Sequence, residues 1–192
     1  SFSCGGWVYN NGCNIVTIVS KATQPVDVDF TCRDGYQITY DPSGIEFTLL
    51  KDWSGQCGTN NNNGNFSDVC GVDYNIYNEW VHIMGVFDSS NNMSYLYINS
   101  SLANSISTNI SQLNDNNTDF LIGSLDTYGD WSWNGKLDNI SVWNTVLSQE
   151  EITNYMNCPP TGDEEGLFGY WNFEEGPESD EVIDLTPNGN NG

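Results

Sequence analysis

Short runs of aromatic and β-branched residues, each closed by a cluster of Asn, Asp, Ser or Gly, recur along most of this 192-residue chain. In "ITYDPSGIEFTLL" (Ile38 to Leu50), two alternating runs flank Asp41-Pro42-Ser43-Gly44. Proline presets φ for a turn there and glycine accepts a positive φ, so the segment reads as a hairpin. "WVHIMGVFD" (Trp80 to Asp88), "MSYLYINSSLANSI" (Met93 to Ile106) and "KLDNISVWNT" (Lys136 to Thr145) repeat the pattern. A strand points successive side chains to opposite faces, so each run can bury one face only against a second layer. The pattern predicts an all-β chain, with two antiparallel sheets packed as a sandwich.

One segment breaks the β pattern. In "LSQEEITNYM", Ser148 can cap a first helical turn while Glu151 reaches back to the cap amide, and Leu147 can meet Ile152 as a hydrophobic staple. Cys158-Pro159-Pro160 follows, and prolines cannot continue a helix, so a short helix is expected to end before them.

Charge and cysteine content bound the partners. Four Lys and Arg face 26 Asp and Glu, a formal net charge of −22, which repels phosphate backbones and excludes nucleic acid as a direct partner. Such a surface serves solubility in a screened medium, and its carboxylate and amide oxygens also suit Ca²⁺. No apolar run is long enough to span a membrane. The opening "SFSCGGWVYNNGC" lacks the basic start and apolar core of a signal peptide, so the chain reads as mature or as an internal piece. Cys4, Cys13, Cys32, Cys57, Cys70 and Cys158 form an even set without a CxxC pair, and His82 is the only histidine, so disulfides are a better reading than zinc. They imply an oxidising, secreted or cell-surface setting. Short loops suggest Cys4 with Cys13 and Cys57 with Cys70, leaving Cys32 with Cys158, although spacing alone leaves the connectivity open.

"GKLDNISVWNTVLSQEEITNYM" resembles the closing signature of bacterial laminin-G-like modules of the concanavalin A-like lectin/glucanase superfamily. "EWVHIMGVFDSSNNMSYLYINSSL" is similar to the middle of that family, and "SCGGWVYNNG" followed by "TIVSK" to its early strands. The resemblance implies a two-sheet antiparallel jelly roll with one short helix near the C-terminus. It also implies a structural, packed role for His82 and core positions for the strand tryptophans Trp7, Trp80, Trp143 and Trp171.

The loop tryptophans suggest a ligand. A sugar ring has an apolar face that stacks on indole, and neighbouring Asp or Tyr can bond its hydroxyls. "LDTYGDWSWNG" (Leu125 to Gly135) offers Tyr128, Asp130 and Trp131 in one loop, and Trp53 lies in another. Trp133 alternates with Trp131 and matches a family position that packs, so Trp131 is the expected glycan contact. The family resemblance also points to a structural calcium held by Asp184, Asn188 and Asn190 of "DLTPNGNNG" with Asp138 of "KLDNIS". The alternative is that Asp184 and Asn188 brace a turn through backbone amides. Catalysis is not expected, because nothing matches the paired strand carboxylates of the glucanases and no Ser/His/Asp grouping is evident.

Two function classes follow, both without catalysis. One is an extracellular carbohydrate-binding or adhesive module stabilised by calcium. The other is a structural repeat of an extracellular filament or surface array, whose partners are copies of itself. The division of the chain bears on this choice: residues 1–157 read as the main body, 158–166 as a linker and 167–192 as a first-strand segment. In the resembling family "GYWNFEEGPESDEVIDLTPNGNNG" belongs to an opening. It is expected to lie with Tyr170 to Phe173 antiparallel to Ile140 to Asn144, either closing its own module or completing the next copy.

Overall fold

The computed structural model describes residues 1–12, 14–22, 34–52, 65–113, 117–126, 129, 131–176 and 178–192. Its strands are β1 (Phe2–Asn10), β2 (Val16–Ala22), β3 (Gly35–Asp41), β4 (Gly44–Asp52), β5 (Asn65–Val72), β6 (Trp80–Asp88), β7 (Met93–Ile98), β8 (Ser101–Ser107), β9 (Leu121–Ile122), β10 (Gly135–Trp143) and β11 (Leu167–Trp171). They form two antiparallel sheets, one ordered β11-β10-β1-β6-β7-β8 and the other β5-β4-β3-β2-β9.

The hairpin expected around Asp41 is β3–β4, paired from Gly35 with Leu50 to Asp41 with Gly44. Asp41 Oδ1 accepts the Ser43 backbone N–H at 2.6 Å, the side-chain bond that nucleates such a turn. The stretch Met93 to Ile106 is two strands, because Asn99 and Ser100 both take positive φ (48° and 60°) and fold β8 back onto β7. Asparagine tolerates that left-handed conformation better than other non-glycine residues.

The sheets face each other across one apolar layer. Ile38, Ile45, Phe47 and Leu49 of the five-stranded sheet meet Cys4, Val8, Ile83, Phe87 and Leu96 of the other. Contact is close: a Cβ placed on Gly85 would stand 2.6 Å from the Phe47 ring. Phe2 bridges the layer, with its ring centroid 4.2 Å from Tyr36 and 5.8 Å from Phe87.

The helix α1 (Gln149–Asn157) carries the expected capping box, with Glu151 N–H donating to Ser148 Oγ and Ser148 N–H donating to Glu151 Oε2 at 2.7 Å. Leu147 and Ile152 both enter a second cluster, on the outer face of the six-stranded sheet, with Met84, Val86, Trp143 and Tyr170. The helix covers only that part of the face. Trp143 is therefore buried, and Trp171 is buried on the other face, in the core between the sheets, whereas Trp80, placed at the uncovered end of β6, is 42% exposed, and Trp7 is half-buried against His82 on the same outer face as Trp143. The expectation of four core tryptophans is corrected to two.

The segment after the helix folds back on its own chain. In β11, Tyr170 pairs with Ser141 and Trp171 with Ile140, and pairing extends to Leu167 opposite Trp143. Phe173 has positive φ (54°) and lies beyond the strand. On the far side of β11, Leu185 N–H donates to Tyr170 O at 2.8 Å, so the last residues cover that edge.

Among the described cysteines, Cys4, Cys70 and Cys158 are free thiols. Cys13, Cys32 and Cys57, their expected partners, lie outside the described residues. Each expected bridge, Cys4 with Cys13, Cys57 with Cys70 and Cys32 with Cys158, includes a residue outside the described ones. Cys4 sits inside β1 on the core face. Cys70 also points into the core, where its Sγ–H donates to Ser94 O at 3.7 Å. Burial pushes its thiol up to about 11.

Candidate functional site

Trp131 stands at one end of the five-stranded sheet, and the sheet edge holds it there. After β9 pairs with β2, Gly123 N–H donates to Ile18 O at 2.9 Å, Trp133 N–H to Gly123 O at 2.7 Å, and Thr17 N–H to Trp131 O at 2.7 Å. The backbone from 131 to 133 thus extends the ladder along β2. Trp131 has positive φ (50°) and is 40% exposed. Trp133 turns inward against the core, its Nε1–H donating to Lys136 O at 3.2 Å.

Beside Trp131 lies a groove of ≈ 440 Å³, walled by Asn14, Ile15, Ser132 and Asn134. Ile15 is itself exposed, so an aliphatic chain and an indole share the groove with two amide side chains. Gly12 makes room for Asn134: a Cβ there would stand 2.9 Å from Asn134 Nδ2.

The outer face of the same sheet is polar although enclosed. Ser20, Gln37 and Thr48 lie in one row across β2, β3 and β4, and Thr17, Thr39 and Glu46 in another, while their neighbours Ile38 and Phe47 face the core. Thr17, Ser20, Gln37, Thr39 and Thr48 are all buried. Among the described residues, Thr17 Oγ1, Ser20 Oγ and Gln37 Oε1 have no hydrogen-bond partner. Buried polar atoms are ordinarily satisfied, since leaving one unpaired costs about 1–3 kcal/mol. Burial, and then repulsion from Asp41, raise the pKa of Glu46 at the edge of this floor. Nothing in the sequence alternation distinguishes this face from an ordinary solvent face.

Of the other residues expected to contact ligand, Trp53, Tyr128 and Asp130 lie outside the described residues. The four expected calcium ligands are described, and they do not form one site. Asp184 Oδ1 accepts the backbone N–H groups of Tyr170 and Thr186, each at 3.0 Å. Its Oδ2 accepts Thr186 Oγ1–H, the Asn190 backbone N–H and Asn190 Nδ2–H, each at 2.9 Å. Five donors thus fill a carboxylate that offers about four lone-pair sites. Burial raises the pKa of Asp184, but these hydrogen bonds outweigh it and hold the group below the usual carboxylate range. Asn188 Nδ2–H is spent on Phe168 O at 2.8 Å. Asp138 lies on β10 opposite Trp7, so β11 stands between it and Asp184. Among the described residues, no three His, Cys, Asp or Glu side chains are grouped to hold a metal. These residues do not fit a shared calcium; they are a clasp that fixes the C-terminal segment to β11.

His82 is 4% exposed, with its ring centroid 5.4 Å from that of Trp7 at 70°, and burial pushes its pKa down to about 4. An enclosed neutral imidazole packed on an indole fits the structural role expected of it.

Known proteins share this architecture. The family model Laminin_G_3, of the concanavalin A-like lectin/glucanases superfamily, matches residues 14–153, more than half of the chain. No curated protein matches the chain. A putative carbohydrate binding protein from Bacteroides ovatus ATCC 8483 superposes with a TM-score of 0.70 at 18% identity, covering 99% of this chain, which spans 50% of that protein. The CBM40 of Ruminococcus gnavus IT-sialidase, bound to alpha2,3 sialyllactose, superposes with a TM-score of 0.60 at 12% identity over 81% of this chain and 82% of its own. The botulinum neurotoxin serotype C1 binding domain gives 0.53 at 17% identity, over 84% of this chain and 37% of its own. Two antiparallel sheets in this order, the short capped helix and the matched residues together show that the chain belongs to the laminin-G-like family of the concanavalin A-like lectin/glucanase superfamily.

Proposed function

We propose that this chain is a non-catalytic extracellular module that binds carbohydrate, with Trp131 as its stacking residue. The observation that carries the reading is Trp131 itself: a large indole, 40% exposed, on a backbone tied to β2 rather than on a free loop. A ring held this way loses little conformational entropy when it meets a sugar face. The groove beside it adds Asn14, Ser132 and Asn134 for hydroxyls. The names of the Bacteroides ovatus protein and of the Ruminococcus gnavus module, each a carbohydrate binder, support the class of ligand. A repeat joined by strand exchange needs the β10 edge open to another copy, and in this structure β11 of the same chain occupies it.

A pull-down on immobilised polysaccharides tests the proposal. The intact chain is expected to be retained by at least one of them, with Trp131→Ala losing retention by about tenfold or more, as for a buried aromatic anchor. Equal retention of both proteins would place binding elsewhere.

A further inference from the structure

The open seam between the two sheets holds a larger cleft, of ≈ 790 Å³, at the opposite end of β2 from Trp131. Lys21 and Leu121 form its wall on the five-stranded sheet, Phe168 and Trp171 its wall on the six-stranded sheet, and Asn190 and Asn191 a third side. The volume is that of a small-molecule site, which commonly runs from about 300 to 1,000 Å³.

The walls are fixed before any ligand arrives. Phe120 and Trp171 stack across the seam, with centroids 5.5 Å apart at 17°. The Trp171 indole is held by Nε1–H donating to Asn190 O at 3.0 Å. Val182 and Gly192 exchange two backbone hydrogen bonds of 2.9 Å, and Asn191 Oδ1 accepts Asp184 N–H at 3.0 Å, which sets the third wall. Lys21 Nζ donates to Thr118 O at 2.7 Å, one of the three donors an ammonium carries. Phe168, 50% exposed, stands on the cleft wall without a role in the core.

We infer that this cleft is a second ligand site, taking the end of a neutral oligosaccharide. The inference rests on the carbohydrate reading above and adds a place and a ligand charge to it. The exposed aromatic face of Phe168 suits the C–H face of a pyranose, the buried Trp171 backs the cleft as its floor, and the Lys21 and Asn191 side chains suit sugar hydroxyls. A wholly apolar ligand would strip water from Lys21, Asp119 and the two amides without replacing it. An anionic sugar meets Asp119 on the wall and the field of a chain of net charge −22. Val16 and Lys21 are roughly 17 Å apart along β2, so the two sites cannot share one sugar ring.

The test is NMR of the intact ¹⁵N-labelled chain, following the Trp171 and Trp131 indole N–H signals during titration with lactose, cellobiose, maltose and chitobiose. At least one disaccharide is expected to shift the Trp171 signal. Phe168→Ala is expected to weaken that binding about fivefold or more, and Leu121→Trp, which fills the cleft, to abolish it. Trp131→Ala is expected to leave it unchanged. A Trp171 signal unmoved by all four sugars overturns the inference, as does a shift that survives both cleft variants or vanishes in Trp131→Ala. Tighter binding of sialyllactose than of lactose at Trp171 overturns its neutral-ligand part. If sugars move only the Trp131 signal, the second site falls and the function proposed above stands; if they move only the Trp171 signal, the cleft stands and Trp131 is not the stacking residue.

Discussion

Replacing Asp184 with asparagine exchanges one carboxylate oxygen for an NH₂ group among donors. In the better orientation the amide oxygen keeps the Tyr170 and Thr186 N–H groups, and the new NH₂ faces Thr186 Oγ1, Asn190 N–H and Asn190 Nδ2–H. The Thr186 hydroxyl can turn to accept, but two N–H donors lose their acceptor in a site where Asp184 is 5% exposed. Hydrogen bonds to a charged group are worth about 1.5–3 kcal/mol each, so the expected loss is about 3–5 kcal/mol. For a chain of this length each kcal/mol lowers Tm by about 2–4 °C, giving roughly 6–20 °C in thermal unfolding followed by circular dichroism at pH 7. The pH dependence has a definite sign. The pKa of Asp184 is depressed in the folded state, so its contribution is complete above the unfolded value of about 3.9 and is lost as pH falls through the lower folded value. The gap between wild type and Asp184→Asn should therefore close in strong acid. It should also be the same in calcium as in EDTA, because no lone pair of the carboxylate is left for a cation. A gap below about 3 °C at pH 7, or one that widens with calcium, refutes the clasp.

Other consequences of the fold are as accessible to measurement. Gly85→Ala should cost about 1–3 kcal/mol or more in urea unfolding, because the added methyl meets the Phe47 ring at 2.6 Å; a neutral change would mean the sheets separate easily. Ser148→Ala removes the acceptor of the helix cap and should cost about 1 kcal/mol, read from the same unfolding curves. The His82 ring should titrate near 4 by NMR; since the unfolded chain takes up that proton first, stability should fall as pH drops from about 6.5 towards 4, and a midpoint above 6 would contradict the packing. Alkylation with peptide mapping should modify Cys158 in the native protein and Cys4 only after denaturation.

What the sequence discloses here is chiefly what is local. The Asp41 turn and the Ser148–Glu151 capping box are formed by residues within three positions of one another, so their partners are written in the sequence. The sandwich follows from alternation, and the antiparallel pairing of the Tyr170 region with β10 from likeness to a known module. Trp80 and Trp143 show the limit. Both lie in aromatic strands on the same outer face, and only the landing place of α1 decides which is buried. Asp184 shows another: acids and amides crowded in "DLTPNGNNG" suit a cation or a clasp equally well, and the choice depends on the donors that β11 supplies. The enclosed Thr17, Ser20 and Gln37 groups could not be read as unpaired, since a sequence of polar residues at outward strand positions ordinarily means solvent.

The most direct test of the central claim is a glycan array probed with the intact chain and with Trp131→Ala side by side. Carbohydrate binding through the β2-anchored indole predicts a defined set of glycans bound by the first protein, with signals reduced about tenfold or more in the second. An array on which the intact chain binds nothing, or on which both proteins give the same signals, would contradict it.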